Sequence, residues 1–185
     1  MRPILVALCL ALPAAFTGAC SGNPLGTAQI ENVVDTVVLS ALVGTPITQP
    51  SAYSLADGRS VRTDQTSAFD FAYNVLPDGR HVFLPLATLG FTSSTAQPGF
   101  IPTDDGFDQI TQAPLNGYQT IDTIAAAADA RFIVRGRVVC TALGVPNYGK
   151  LRVISFDDTD RTVTFEVLAN RNCGFRGLNL GIPSD

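Results

Sequence analysis

The chain has 185 residues, of which 12 are Lys or Arg and 16 are Asp or Glu, giving a net charge of −4. No basic stripe accompanies this acidic balance, so nucleic acid is excluded as an expected partner. The length suits one domain with a substantial core, and abundant Gly, Pro, Thr and Val with little Glu or Lys favours strands and turns over helices.

Residues 1–19 have the pattern of a removable secretory signal. A short positive start at residues 1–3 precedes an apolar run over residues 4–16 and a small-residue cleavage site at residues 17–19. The apolar run is shorter than the roughly 20 residues that a membrane-spanning helix needs. Removing the signal takes Arg2 with it and leaves 11 basic and 16 acidic residues, a net charge of −5.

Cys20 directly follows the small residues, as in bacterial lipoproteins, and is predicted to become the lipid-bearing N-terminus. The alternative is ordinary signal cleavage at the same bond, which leaves a soluble secreted protein. If Cys20 is lipidated, residues 20–35 are the lipidated cysteine and its tether. Two or three acyl chains anchor a protein firmly to a membrane, whereas one chain does not. Ser21, rather than Asp, follows the cysteine and favours the outer membrane by analogy with proteobacterial sorting.

The cysteine count supports this assignment. Cys9 leaves with the signal, so the mature chain retains Cys20, Cys140 and Cys173. An odd cysteine in an exported protein requires an explanation, which lipidation of Cys20 supplies. Cys140 and Cys173 are then predicted to form a disulfide in an oxidising compartment. Two buried free thiols are the alternative.

Residues 36–185 predict one all-β domain, a single antiparallel sandwich or barrel-like fold. The apolar run at 36–43 predicts a strand buried on both faces, and the period-two alternation at 68–75 predicts a half-buried strand. Asp57-Gly58 and Pro77-Asp78-Gly79 predict turns. The predicted strands, in chain order, cover residues 36–43, 53–55, 60–62, 68–75, 80–86, 131–142, 150–156 and 161–169.

The middle of the chain is less regular. Residues 88–106 are predicted to be a long polar loop, and loops of that length are often functional. Short segments are expected at 107–111 and 118–123, and a single helical turn at 125–130. Residues 157–160 are predicted to turn between the last two strands.

Catalytic constellations are not visible in the sequence. His81 is the only histidine, which excludes a zinc site built from several histidines. No Gly-x-Ser-x-Gly elbow is present, so the chain is predicted not to be an enzyme and no catalytic residue is assigned. The acidic clusters at 104–108 and 157–160 are interpreted as solvated turns, since neither has the spacing of a calcium loop. Three arginines alternate along one predicted strand: Arg131, Arg135 and Arg137. They could form an anion-binding row, and the simpler interpretation is a solvated face.

Four stretches, taken in order, resemble the HmuY-type haem-binding lipoproteins. They are Tyr53-Ser-Leu-Ala-Asp-Gly-Arg-Ser-Val61, Thr66-Ser-Ala-Phe-Asp-Phe-Ala-Tyr73, Gly106-Phe-Asp-Gln-Ile-Thr-Gln-Ala-Pro114, and the pair Tyr148-Gly-Lys-Leu-Arg-Val153 and Thr162-Val-Thr-Phe-Glu-Val167. The resemblance covers roughly residues 44–178. It implies an all-β, lipid-anchored domain that takes up haem or a related porphyrin. That family holds iron with paired His or paired Met, whereas the mature chain here has His81 alone and no Met.

The function predicted from these observations is a non-enzymatic ligand-binding module of the cell envelope. If haem binds, the iron is expected to be held by His81 alone or by Tyr73, Tyr118 or Tyr148, because tyrosinate is a haem ligand. Loop 88–106 would form a wall of the pocket. We favour conversion of the site to an apolar, metal-free ligand, with Phe91 and Phe100 contributing. The alternative is a structural or protein-interaction lipoprotein of the outer membrane.

Overall fold

A computed structural model describes residues 24–92 and 96–184, and these form two five-stranded antiparallel sheets packed face to face. The all-β prediction is confirmed, as an open sandwich rather than a closed barrel. The predicted signal, residues 1–19, and the predicted lipidation site, Cys20, lie outside the described residues.

Ten strands and two short 3-10 helices make up the fold. The strands are β1 (Val34–Ser40), β2 (Ala52–Ser54), β3 (Arg59–Val61), β4 (Phe71–Val75), β5 (His81–Pro85), β6 (Gly99–Thr103), β7 (Ile124–Ala125), β8 (Arg131–Cys140), β9 (Val145–Asp157) and β10 (Thr162–Asn170). The 3-10 helices are Leu86–Leu89 and Phe107–Gln109. The first sheet has the order β1-β10-β9-β8-β6 and the second β3-β2-β4-β5-β7.

Aromatic rings from both sheets fill the space between them. Phe71 and Phe83 come from the second sheet, Phe100 and Phe165 from the first, and all four side chains are fully buried. Their rings meet mostly edge to face, as aromatic pairs prefer. Burial of apolar area is the main stabilising term of folding, so this cluster holds the two sheets together.

The predicted turns at Gly58, Gly79 and residues 157–160 are confirmed. Gly58 and Gly79 have φ angles of 64° and 84°, which an L side chain rarely adopts, at the two predicted hairpin turns. The Asp157 carboxylate accepts hydrogen bonds from the backbone N–H groups of Thr159 and Asp160, both at 2.9 Å. The acidic cluster at 157–160 is therefore a turn.

The burial predicted for two strands is wrong. The run at 36–43 was expected to be buried on both faces, but β1 is an edge strand and Val38 is 49% exposed. The strand at 68–75 was expected to be half-buried, yet Ala72 and Phe71 are both fully buried. Ala72 faces a second cluster that includes Phe69, so β4 has apolar neighbours on both of its faces.

The middle of the chain and the tether also differ from prediction. The predicted loop 88–106 contains β6, which pairs with β8. In place of the helical turn at 125–130, Ile124–Ala125 pairs with β5. Of the predicted tether, residues 20–35, the structure describes residues 24–35: β1 begins at Val34, and Gln29, Ile30 and Asn32 bond to the C-terminal segment.

Two buried asparagines join the segment before β1 to the C-terminal segment, and a disulfide joins β8 to the same segment. The Asn172 carboxamide oxygen accepts the N–H groups of Gln29 and Ile30, each at 2.9 Å. Asn32 exchanges two backbone hydrogen bonds with Gly181. The Cys140–Cys173 disulfide, with Cα atoms 5.9 Å apart, confirms the predicted pairing and ties the end of β8 to this C-terminal segment.

Candidate functional site

The sequence-predicted residues His81 and Tyr73 are brought together on neighbouring strands. The register of β4 and β5 places them near each other, and the Tyr73 phenol oxygen lies 2.7 Å from Nδ1 of His81. The His81 ring stacks on Phe156 with centroids 3.8 Å apart. Its other nitrogen, Nε2, lies 3.2 Å from a carboxylate oxygen of Asp158. Both imidazole nitrogens therefore have partners within the protein.

Burial controls the chemistry of Tyr73. Its side chain is fully buried, and burial, reinforced by the nearby Asp158 carboxylate, raises the pKa of Tyr73 to about 12. The phenol is therefore protonated at neutral pH. The protonated hydroxyl can donate to Nδ1 of His81, which leaves Nε2 to face the Asp158 carboxylate.

Tyr118 and Tyr148 form a separate pair with Arg135. Their ring centroids lie 6.4 Å apart, and the Arg135 guanidinium carbon sits 4.6 Å from the centre of the Tyr118 ring. The Tyr118 hydroxyl donates to the carbonyl of Pro114 at 2.8 Å. Burial raises the pKa of both phenols. Tyr148 belongs to a small core cluster with Phe107, so this pair stabilises the fold around the Phe107–Gln109 helix.

The predicted apolar residues Phe91 and Phe100 lie in different surroundings. Phe100 is fully buried in the main core beside Phe71 and Phe83. Phe91 is 48% exposed, meets Phe69 edge to face, and lines a cavity of about 180 Å³. That volume is below the roughly 300–1,000 Å³ of small-molecule pockets. Of the two, only Phe91 is placed to touch a ligand from the surface.

The three arginines of the predicted row each have partners within the protein. Arg131 pairs with the Asp129 carboxylate at 2.6 Å, and Arg135 donates twice to the carbonyl of Gln97. Arg137 pairs with Asp70, whose side chain is 1% exposed. Each guanidinium is bound to a group of the protein, which the alternation of arginines along the sequence does not reveal.

A cleft that the sequence did not suggest opens where the two sheets separate. It has a volume of about 530 Å³, within the range of small-molecule sites, and lies between the edge strands β6 and β7. Its lining comprises Pro102, Thr103, Asp104, Gln119, Thr123, Ile124, Ala125, Ala130, Arg131 and Phe132. We call it the edge cleft. Three separate chain segments contribute to it.

The floor of the edge cleft is apolar and its mouth is polar. Ile124 and Phe132 are each 3% exposed and belong to the main core, where Phe132 meets Phe100 edge to face at 5.7 Å. Gln119 and Thr123 are exposed at the mouth, and their amide and hydroxyl can each donate or accept a hydrogen bond. Half of the ten lining residues are polar or charged, so the cleft offers a ligand both apolar contact and hydrogen bonds.

The described residues do not fit the haem that the resemblance implies. The candidate ligands His81 and Tyr73 are bonded to each other, and Tyr118 donates to a carbonyl. None of these three residues lines the edge cleft. Tyrosinate ligation would also require deprotonation of phenols whose pKa burial raises. Iron ligation by His81, Tyr73 or Tyr118 would require these contacts to break.

Over residues 24–92 and 96–184, no group of three or more His, Cys, Asp or Glu side chains is arranged to hold a metal ion. The same residues contain no helix with the length and apolarity of a membrane span. No protein-family model, curated protein or solved structure matches the chain. The function is therefore inferred from the residues that line the edge cleft and from their chemistry.

Proposed function

We propose that this chain is a lipid-anchored, non-enzymatic module of the bacterial cell envelope that binds a small, mostly apolar, metal-free ligand in the edge cleft. The observation that carries the proposal is the cleft itself. It has the volume of a small-molecule site, a floor of Ile124 and Phe132, and hydrogen-bonding groups at its mouth.

Charge at the cleft favours a neutral ligand. Arg131 is the only basic side chain of the lining, and its guanidinium bonds to the Asp129 carboxylate and to the backbone carbonyls of Asp104 and Asp105. Asp104 places a carboxylate near the mouth. An anionic ligand would therefore gain little from Arg131, whereas a neutral molecule with one carbonyl or hydroxyl could bond to Gln119 or Thr123.

Binding is tested with N-phenyl-1-naphthylamine, a neutral apolar fluorophore, and the mature chain without acyl groups, residues 20–185 with Cys20→Ser, exported behind a signal that an ordinary signal peptidase removes. We expect saturable fluorescence enhancement that Ala125→Trp abolishes, because Ala125 is exposed on the cleft wall and an indole there fills the space. Ala127→Trp, at an exposed position two residues on, is the matched control. Equal binding by both variants would overturn the assignment of the cleft.

Anchoring is tested separately by processing. Cys20→Ala should leave an uncleaved precursor, since the lipoprotein signal peptidase acts on the acylated cysteine. Normal cleavage of the variant and its release as a soluble protein would contradict the lipoprotein proposal.

The open edge of β1 favours a second candidate, a structural or protein-interaction lipoprotein. β1 pairs with β10 on one side and ends its sheet on the other, and it contains no Pro and one charge, Asp35. Val34 and Val38 are 39% and 49% exposed on this strand. An unprotected edge can pair with another chain. Association abolished by Val38→Lys, together with a cleft that binds no probe, would favour this candidate.

A further inference from the structure

The hairpin turn between β8 and β9 is an exposed, uncharged protrusion. The turn covers residues 141–144, all exposed, and Leu143 is 47% exposed at its tip. Val139, just before it, is 38% exposed. No charged residue occurs between Arg137 and Lys150, a stretch that includes the whole hairpin end. An exposed leucine flanked only by uncharged residues can enter an apolar phase without desolvating a charge.

The N-terminal segment reaches the fold beside this hairpin. A methyl carbon of Leu25 lies 2.7 Å from the position that a Cβ on Gly174 would occupy, and a methyl of Val145 lies 3.1 Å from the same point. Leu25 and Val145 thus meet over Gly174, whose φ of 77° also favours glycine. Val145 opens β9, two residues after Leu143.

The contact between the chain end and the hairpin is firmly held. The disulfide joins Cys140, at the base of the turn, to Cys173, next to Gly174. Cys140 also accepts the N–H groups of Leu143 and Gly144 through its carbonyl, at 3.0 and 2.9 Å. The turn is therefore fixed relative to the point where Leu25 joins the fold.

Chain length then brings the hairpin close to the proposed anchor. Four residues lie between Cys20 and Leu25, and the five residue-to-residue steps that join them span at most about 17 Å when extended. If Cys20 carries acyl chains, Leu25 lies within that distance of the bilayer surface, and the hairpin tip begins two residues from Val145, which lies beside the same glycine as Leu25. The β9–β10 turn is at the other end of β9, about 40 Å away for 13 residues of strand.

We infer that the β8–β9 hairpin tip, through Leu143 and Val139, inserts into the headgroup region of the membrane beside the lipidated Cys20 and fixes the orientation of the domain. The inference rests on the lipid anchoring proposed above and not on the ligand cleft. A zwitterionic bilayer is the expected partner, because the mature chain has a net charge of −5 and is repelled by anionic lipid.

The chain has no Trp, so one introduced indole is a specific reporter. The full lipidated chain carrying Leu143→Trp is reconstituted in phosphatidylcholine vesicles, with and without brominated acyl chains. The matched control is Ile47→Trp. Ile47 is 67% exposed and lies near the β9–β10 turn, because Gly44, three residues before it, is a neighbour of Arg161 in that turn. Acylation of Cys20 is first established by mass spectrometry of the N-terminal peptide.

For acylated protein we expect a blue-shifted indole emission and strong bromine quenching at position 143, with neither effect at position 47. Equal quenching at both positions, or none at position 143, would overturn the inference while leaving the lipid anchor in place. A blue shift at position 143 without quenching would assign the tip to a contact with a second copy of the chain and would also overturn it. Absence of acyl groups would overturn the anchoring and this inference together, whereas probe binding in the edge cleft is measured independently.

Discussion

The Tyr73 hydroxyl lies 2.7 Å from Nδ1 of His81, so two residues that could each have bound haem iron are bonded to each other. Phe156 covers the imidazole face and Asp158 lies beside its second nitrogen. The phenol and both imidazole nitrogens therefore have polar partners within the protein. Hydrogen bonding and ring stacking within the protein thus hold the His81 side chain in place.

The Tyr73–His81 pair should not bind haem. Haem titrated into the purified domain should give no saturable Soret shift at micromolar concentrations, because iron ligation would break the Tyr73–His81 bond and expose a buried phenol. His81→Ala should give the same featureless titration as the unmodified chain. Tight binding with a six-coordinate, low-spin spectrum would show that this interpretation of the site is wrong.

Alkaline pH should destabilise the fold through its four tyrosines. Burial raises the pKa of Tyr73 to about 12 and raises those of Tyr53, Tyr118 and Tyr148 above the usual 10.0. Below pH 10 both the folded and unfolded chains hold these protons. Above it the unfolded chain ionises first, so the free energy of unfolding falls as pH rises. Phenolate absorbance at 295 nm should appear together with loss of the far-ultraviolet β signal; four phenols that titrate near pH 10 in the native protein would contradict this.

A buried ion pair joins the two sheets and should be sensitive to truncation. The Asp70 carboxylate accepts the backbone N–H groups of Leu55 and Arg137, both at 2.6 Å, and the Arg137 guanidinium at 3.1 Å. Asp70→Ala leaves the Arg137 charge without its partner and should cost about 3–5 kcal/mol of unfolding free energy in urea. Asp64→Ala, which breaks an ion pair with Arg62 near the surface, is the control and should change stability little. Similar losses in the two variants would refute the special role of Asp70.

The strongest sequence signals predicted the fold well. The hairpin at Gly58, the turn at 157–160 and the alternation of Val163, Phe165 and Val167 in β10 depend on local chemistry, and all three are found. β1 was mistaken for a strand buried on both faces because a continuous apolar run does not distinguish an edge strand from a central one. Its position at the end of the sheet is a property of the topology.

β6 and the edge cleft could not be predicted for a related reason. Gly99 and Pro102 normally interrupt strands, yet Pro is tolerated in an edge strand such as β6. Gly99 is required because a Cβ there would lie 2.6 Å from the carbonyl oxygen of Gln119. The cleft then combines residues of β6, β7 and β8, whose proximity depends on pairing across more than twenty residues of sequence.

Loss of the disulfide should loosen the N-terminal segment as well as the whole fold. Closing a loop of this length stabilises by roughly 3–4 kcal/mol in the chain-entropy model, and removing a native bridge typically costs about 2–5 kcal/mol. A Cys140→Ser, Cys173→Ser double variant should therefore unfold at lower urea, with faster amide exchange at Gln29 and Ile30, which Asn172 holds near Cys173. In the native protein both thiols should resist alkylation until reduced. Ready alkylation without reductant would contradict the bridge.

Amide chemical-shift mapping shows where on the domain a ligand binds. The labelled Cys20→Ser mature chain is titrated with N-phenyl-1-naphthylamine, and the shifted resonances locate the bound molecule. We predict the largest shifts at Gln119, Ile124 and Phe132, which line the edge cleft, and their loss in Ala125→Trp. Largest shifts at Tyr73 and His81, with Ile124 and Phe132 unmoved, would rule out the edge cleft and place the ligand at the residues that the sequence suggested as haem ligands.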